Sequence, residues 1–272
     1  MRESRTENLF TGSIPELYET HLVPLLFEPY VADLTNRVAP RAIESVLEIA
    51  AGTGVVTRNL ASVLPKAVSI VATDLSQAML DKAEAVGTQR LVDWCQADAM
   101  QLPFPDNAFD AVVCQFGVMF FPDKAKAFSE ARRVLKPGGA FIFNVWDRIE
   151  ENEFANTVVT AIGPMFPSNP PQFVVRTPHG YFDLRTIQQD LANGGFTVPP
   201  QISTVTKCSR AKSARIPAIA FCQGTPMRNE IEARDASRLG DATNIAAEAI
   251  ARKFGQGPVE GKMQAHVVVI EN

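Results

Sequence analysis

Four polar residues sit at or near the ends of apolar runs in the first half of the chain. Glu48 lies in Val46 to Ala50, Asp74 follows Val68 to Thr73, Asp98 follows Arg90 to Gln96, and Gln115 lies in Phe109 to Phe116. The turn Gly52-Thr53-Gly54 stands between the first two. Glycine there can take a positive φ and has no Cβ to hold a ligand away. The helix expected after the turn offers free N–H groups and a partial positive charge. Asp74 comes about twenty residues after the turn, where a carboxylate ending a second strand can accept both hydroxyls of a ribose. A row of acceptors beside a glycine turn suits a cationic or hydroxyl-rich nucleotide. The dinucleotide pattern Gly-x-Gly-x-x-Gly is incomplete, with Thr57 in its third glycine position. So short a pattern is weak alone, and an ordinary strand-to-helix turn is the plainer reading. No Gly-Lys-Ser/Thr phosphate loop is present.

These residues need a scaffold, and the hydrophobic pattern supplies one. Strands are expected at 46–50, 68–73, 90–96, 109–116 and 140–146. Helices are expected at 55–64, at 77–86 with Ser76 as N-cap, and at 123–135 with an N-cap near Asp123. The nearly unbroken apolar run at 109–116 fits a strand buried on both faces. Lys136-Pro137-Gly138-Gly139 is expected to stop the helix and turn the chain. Such alternation means a mostly parallel, doubly wound sheet with right-handed crossovers, and ligands bind at the carboxyl ends of its strands.

Upstream, residues 1 to about 12 resemble a flexible tail. Ile14 to Val38 has helical spacing interrupted by Pro24 and Pro29, which predicts two or three short helices. They either pack on the sheet or close over a ligand site. Downstream, Glu150 to Phe166 and Phe182 to Ala192 are expected helices, separated by a proline-rich stretch at 164–178. Asn193-Gly194-Gly195-Phe196 is a C-cap signal. Gln201 to Cys208 alternates like a strand. Ser213 to Phe254 is expected to be helical, broken near 224–226 and again around Gly240. Met263 to Ile270 forms a last strand.

The 272 residues suit one large α/β domain, or one with a substantial insertion. Hydrophobic residues make up 46% and charged residues 21%, which excludes a disordered chain. A net charge of -4 argues against a general nucleic-acid binder. The basic group Lys207, Arg210, Lys212 and Arg215 is expected to be a solvated strand end and loop. Cys95, Cys114, Cys208 and Cys222 form no Cys-x-x-Cys pair, so free thiols in a reducing compartment are expected, not disulfides or zinc. No metal site is expected. The charged start MRESRTENLF lacks the apolar run of a signal peptide, and no run is long enough to cross a membrane. The expected location is the cytoplasm.

Four segments together make a more specific match: LEIAAGTGVVT, ATDLSQAML, QADAMQLPFPDNAFDAVVCQFGVMFFPD and EARRVLKPGGAFIFNVW. In order and spacing they resemble the class I S-adenosylmethionine-dependent methyltransferases, in the small-molecule branch that includes the ubiquinone/menaquinone-biosynthesis enzymes (methyltransferase type 11). The resemblance covers about Val46 to Trp146. Ala50 departs mildly from it, since the family often has glycine there.

The resemblance implies an α/β fold: a doubly wound, seven-stranded Rossmann-like sheet with its last strand antiparallel, inserted between the fifth and sixth, and with helical lid insertions. Residues 1–272 would be a single methyltransferase domain, with an N-terminal helical lid at 8–38, a cofactor-binding core at 40–147 and lid insertions at 150–182 and 210–260. The implied cofactor is S-adenosyl-L-methionine, with S-adenosyl-L-homocysteine as product. Glu48, Ala50, Gly52 and Gly54 would hold its methionine half and Asp74 its ribose. Leu75 and Met79 would lie near the adenine, whose amino group Asp98 would accept, with the Ala99 N–H beside it. Gln115 and Phe116 would border the methyl donor. Tyr18 or Tyr30 could cover the sulfonium.

A sulfonium cofactor has no phosphates, so acceptors matter more than a phosphate cradle. Methyl transfer needs a general base only if the acceptor must lose a proton. His179 and His21 are the candidate bases, His266 is expected to be structural, and Arg176 could pair a substrate carboxylate or simply lie on the surface. The implied acceptor is a small molecule, with no nucleic-acid or membrane partner and a monomer or homodimer. Two other readings stay open: a nicotinamide-dependent oxidoreductase, and a non-catalytic S-adenosylmethionine-binding protein.

Overall fold

Seven strands make one sheet: β1 (Ser45–Ile49), β2 (Ser69–Asp74), β3 (Asp93–Gln96), β4 (Phe109–Gln115), β5 (Leu135–Trp146), β6 (Gln201–Ala211) and β7 (Val259–Glu271). Their order across the sheet is β3-β2-β1-β4-β5-β7-β6. β1 pairs in parallel with β2 and β4, β2 with β3, and β4 with β5. β7 runs antiparallel to β5. The order reverses between β1 and β4, the switch point at which such sheets bind ligands. This is the expected doubly wound sheet, with its last strand inserted antiparallel.

The computed structural model describes residues 12–272. The expected tail, but for Gly12, and the start of the 8–38 segment lie outside the described residues. The α-helices are α1 (Ile14–Leu17), α2 (Glu28–Val38), α3 (Val55–Val63), α4 (Gln77–Val86), α5 (Lys124–Val134), α6 (Glu153–Ile162), α7 (Phe173–Arg176), α8 (Leu184–Asn193), α9 (Arg215–Gln223), α10 (Met227–Asp235) and α11 (Leu239–Phe254). Among the described residues no helix is long and apolar enough to cross a membrane.

Three expectations need correction. Pro24 and Pro29 do not break the first helical segment. Tyr18–Phe27 is a π-helix in which the Glu28 N–H reaches back to the Val23 carbonyl, and its wider turn makes room for the Pro24 ring. Pro29 falls in the first turn of α2, where a missing N–H is tolerated. Lys136-Pro137-Gly138-Gly139 is not a turn ahead of β5 but a bulge inside it. The pairing jumps from Phe109–Leu135 to Ala111–Ala140. Gly138 and Gly139 are held by main-chain bonds to Asn272 of 2.9 Å each, which extend the β5–β7 ladder. The second break in the 213–254 stretch comes at 236–238, a 3-10 turn, and Gly240 lies inside α11. The proline-rich stretch also holds a helix, α7, that its prolines concealed.

The chain divides into two compact units. The described part of the first comprises 12–29, 147–180 and 206–264; the second comprises 30–146, 181–205 and 265–272. In the second, α2 and α3 cover one sheet face, where Val31, Leu34, Val56 and Leu60 pack on Val46, Ala111, Val113, Ile142 and Val267. On β5 the alternate residues Phe141 and Phe143 meet Phe128 of α5, with ring centroids 5.7 Å and 5.5 Å away. Gly195, at φ +91°, closes α8 as the C-cap signal required, with the Phe196 N–H bonded to the Leu191 carbonyl.

In the first unit, α11 packs against α9 and α6. Ala218, Ala246, Ile250, Val158 and Ile162 are fully buried there. Arg176 pairs with Glu230 of α10 at 2.8 Å. Glu230 also accepts the N–H groups of Gln172 and Phe173, fastening the start of α7. Arg176 therefore already has a carboxylate partner within its own chain.

Candidate active site

The glycine turn between β1 and α3 is held from three sides. The Ala51 N–H donates to the Thr73 carbonyl at 2.8 Å, the Gly54 N–H to the Ala51 carbonyl at 3.0 Å, and the Gly52 N–H to Asp74 Oδ2 at 2.8 Å. Ala50, Gly52 and Gly54 all have positive φ, at +54°, +57° and +81°. At Gly54 a Cβ would come within 2.8 Å of the Trp94 ring on β3. Only glycine fits there, and Trp94 is the neighbour that makes it so.

Asp74 ends β2 beside this turn. Its Oδ1 accepts the Ser76 N–H at 2.9 Å and its Oδ2 the Gly52 N–H. Burial raises its pKa, against the opposing pull of the Ser76, Gly52 and Leu75 N–H groups. Each oxygen keeps a further lone pair, which is what two ribose hydroxyls would need. Ser76 occupies the N-cap position of α4, but its side chain makes no cap bond. The Ala97 N–H donates to the Asp74 carbonyl at 3.0 Å, which ties the end of β3 to that of β2. Asp98 follows one residue later. Its Oδ1 accepts the Met100 N–H at 2.8 Å, leaving Oδ2 without a bond among the described residues. Leu75 is half-buried, while Met79 and Ala99 are buried.

Glu48 lies one residue before the end of β1 and is 1% exposed. Its Oε2 accepts the Thr57 hydroxyl at 2.5 Å. Among the described residues it makes no ion pair, and burial pushes its pKa up to about 8. Arg58 and the Thr57 bond oppose that rise without cancelling it. A buried carboxyl lacking a cation suits a ligand that brings a positive charge. Gln115 ends β4 opposite Asn144 of β5. Phe116 follows it, buried and at φ +52°.

The structure thus brings together Glu48, Ala50, Gly52, Gly54, Asp74, Leu75, Met79, Asp98, Ala99, Gln115 and Phe116 in the second unit. Tyr18, His21 and His179 belong to the first unit. Tyr18 stacks on Phe27 at 5.0 Å within the π-helix, which also contains His21. His179 is buried, with Nδ1 2.8 Å from the Asp147 carbonyl. Burial lowers its pKa to about 4, against the pull of that same carbonyl. The ring is neutral at pH 7, so Nδ1 carries the proton and donates it to Asp147. His266, in β7, shares a 3.0 Å contact with the Thr204 hydroxyl, as a structural residue would.

Two residues of the site escaped the sequence reading. Thr57 reads in the sequence as a missing glycine, yet its hydroxyl donates to the Glu48 carboxyl. Asn144 was hidden in the apolar strand Phe141 to Trp146. Its Oδ1 accepts the Phe116 N–H at 2.9 Å. The available signal was a lone amide in a run that is otherwise wholly buried and apolar.

Residues 47–143 match the family profile described as a methyltransferase domain. Over this stretch the chain is similar to S-adenosylmethionine-dependent methyltransferases of the ubiquinone/menaquinone type. A demethylmenaquinone methyltransferase from Clavibacter sepedonicus is 42% identical over 113 residues, which are 40% of this chain and 43% of that protein. The match spans less than half the length of the curated relatives.

Among solved structures, phosphoethanolamine N-methyltransferase 2 of Haemonchus contortus, in complex with S-adenosyl-L-methionine, superposes with a TM-score of 0.60 at 20% identity. That match covers 98% of this chain and 58% of the other. The cyclase SpnF superposes at 0.53 with 20% identity, covering 90% of this chain and 80% of the other. At such identities the likeness shows the fold: a seven-stranded Rossmann-like α/β sheet.

Proposed function

We propose that the chain transfers a methyl group from S-adenosyl-L-methionine to a small-molecule acceptor. The observation that carries this reading is the set of carboxylates at the ends of β1, β2 and β3 around a glycine turn, within the matched stretch 47–143. Glu48 and the loop 50–54 would hold the methionine half of the cofactor. Asp74 would accept the ribose hydroxyls, Leu75 and Met79 would flank the adenine, and Asp98 Oδ2 with the Ala99 N–H would read its edge. Gln115 and Phe116 would border the sulfonium.

The residues at the strand ends fit a cationic, phosphate-free group, since Glu48, Asp74 and Asp98 all supply acceptors there. When bound, that group supplies the electrophilic methyl. The chain's own residues bind it, orient the acceptor and exclude water, which can contribute roughly 7–11 kcal/mol in favourable cases. Acceptor specificity would rest with the segments outside the matched stretch, chiefly 8–38, 150–182 and 210–260, as lid insertions of a single methyltransferase domain. His179 is a poor base in this reading, since burial holds its pKa low. His21 is the remaining candidate. All four cysteines are free, which supports a reducing, cytoplasmic location. The protein would act as a monomer or homodimer.

Isothermal titration with S-adenosylmethionine, S-adenosylhomocysteine and NADH tests the reading. Saturable binding of the first two, lost in Asp74→Ala, is expected. Binding of NADH alone would move the nicotinamide reading to the front. The likeness to SpnF favours one rival in which this fold serves another reaction. Labelled methyl appearing in no acceptor despite tight cofactor binding would support that rival.

A further inference from the structure

We infer that Asn144 is a positioning residue for the methyl-donor wall, because its side-chain carbonyl clamps the Phe116 peptide in the left-handed region beside Gln115. The inference rests on the proposed function, since the wall it sets is the one assigned to the cofactor. Phe116 has φ +52°, a region that bulky residues rarely adopt and that persists only where the surroundings fix it. Both ends of the residue are fixed here. Its N–H donates to Asn144 Oδ1 at 2.9 Å and to the Asn144 main-chain carbonyl at 3.2 Å. Its ring stacks on Trp146, with centroids 3.8 Å apart and planes 6° from parallel. Tyr30 stands edge-on to both rings, at 5.3 Å from Phe116 and 5.4 Å from Trp146.

The Asn144 side chain is 1% exposed, and its Nδ2 has no hydrogen-bond partner among the described residues. An amide with buried, unbonded N–H groups is costly, and a leucine would fill the place without that cost. The oxygen is what this position uses. The clamp also reaches the glycine turn. At Gly117 an added Cβ would lie 2.5 Å from the Ala50 Cβ, so the peptide after Phe116 rests against the loop assigned to the methionine half. A shift of Phe116 would therefore be felt at Ala50.

The test uses full-length protein labelled with fluorotryptophan. Its two tryptophans, Trp94 and Trp146, give separate fluorine NMR resonances, assigned with Trp146→Phe. Asn144→Leu should move the Trp146 resonance, leave that of Trp94 in place, and weaken S-adenosylmethionine binding roughly tenfold by calorimetry. Asn144→Asp, which keeps the acceptor oxygen, should restore both readouts at pH 6. Should Asn144→Leu not fold, Asn144→Ser, too short to reach the Phe116 N–H, takes its place.

An unmoved Trp146 resonance with unchanged affinity in Asn144→Leu would overturn the inference. So would an Asn144→Asp protein that is folded by its Trp94 signal yet as impaired as Asn144→Leu. If the wild-type protein binds no S-adenosylmethionine, the proposed function fails. The clamp is then decided by the Trp146 resonance alone: moved in Asn144→Leu and restored in Asn144→Asp, or not.

Discussion

Glu48 is held protonated at neutral pH by its burial, with a pKa near 8 against an ordinary value of 4.5. Between those values the folded chain binds a proton that the unfolded chain has lost. The contribution of Glu48 therefore falls as pH rises from 4.5 to 8, by about 3 kcal/mol between pH 5.5 and 8. Glu48→Gln removes that slope. Its ligand-free thermal midpoint should exceed that of the wild type by several degrees at pH 8 and by much less at pH 5.5. Scanning calorimetry at the two pH values checks this, and an equal shift at both would refute it. The same substitution should weaken binding of a cationic cofactor, because the stability gain comes from deleting a charge the ligand needs.

His179 runs the other way. Its folded pKa near 4 lies below the ordinary 6.5, so the unfolded chain takes up a proton first as pH falls. Stability is lost from pH 6.5 down to 4, by up to about 3 kcal/mol. His179→Gln should flatten that acid limb in urea titrations while leaving the proposed methyl transfer in place. A collapse of turnover in that variant with an intact fold would make His179 catalytic after all.

Among the elements, the ends of β1 and β4 are linked through a contact with no room to spare. Both carry a non-glycine residue at positive φ, Ala50 and Phe116, and Gly117 lies against the Ala50 methyl. A Cβ on residue 117 would stand 2.5 Å from Ala50 Cβ and 2.7 Å from Cys114 Sγ. Gly117→Ala should destabilise the protein by about 1–3 kcal/mol through overpacking. Ala50→Gly should recover part of that loss, since the Cys114 contact remains. A double-mutant cycle in urea measures the coupling, and strict additivity would show that the two residues do not meet.

This contact also shows what a sequence can and cannot reveal. The strands of 46–146 were legible because period, glycine placement and apolar runs all agreed there, while the place of the last strand followed from the family resemblance. Glu48, Asp74 and Asp98 were legible as strand-ending acceptors. The clamp at Asn144 was not, since it depends on which residue β4 sets beside β5 and on a left-handed Phe116, neither of which leaves a local signature. The prolines misled for a related reason. A proline forbids an ordinary helical turn but not the wider one that Pro24 occupies, and only tertiary packing decides between them.

For the whole molecule, binding at the proposed cofactor site should appear as added stability. At one hundred times the dissociation constant the ligand contributes about 2.7 kcal/mol. For a chain of this size that corresponds to a rise in thermal midpoint of roughly 5–10 °C. S-adenosylmethionine should produce that rise in the wild type and not in Asp74→Ala, as read by thermal melts across a ligand series. The flat profile of Asp74→Ala needs a folded control, because Asp74 also holds the Gly52 N–H.

The two compact units are interleaved along the chain, each assembled from three separate stretches. Their boundaries cut through β6 between residues 205 and 206 and through β7 between 264 and 265. No single crossover in the gene could exchange one unit for that of a relative. A chimera taking residues 206–264 from another protein would import parts of two strands and leave two further segments of the unit behind. Under the proposed function, new acceptor preferences in such a lineage would therefore arise by point changes within inherited segments, and not by shuffling whole modules.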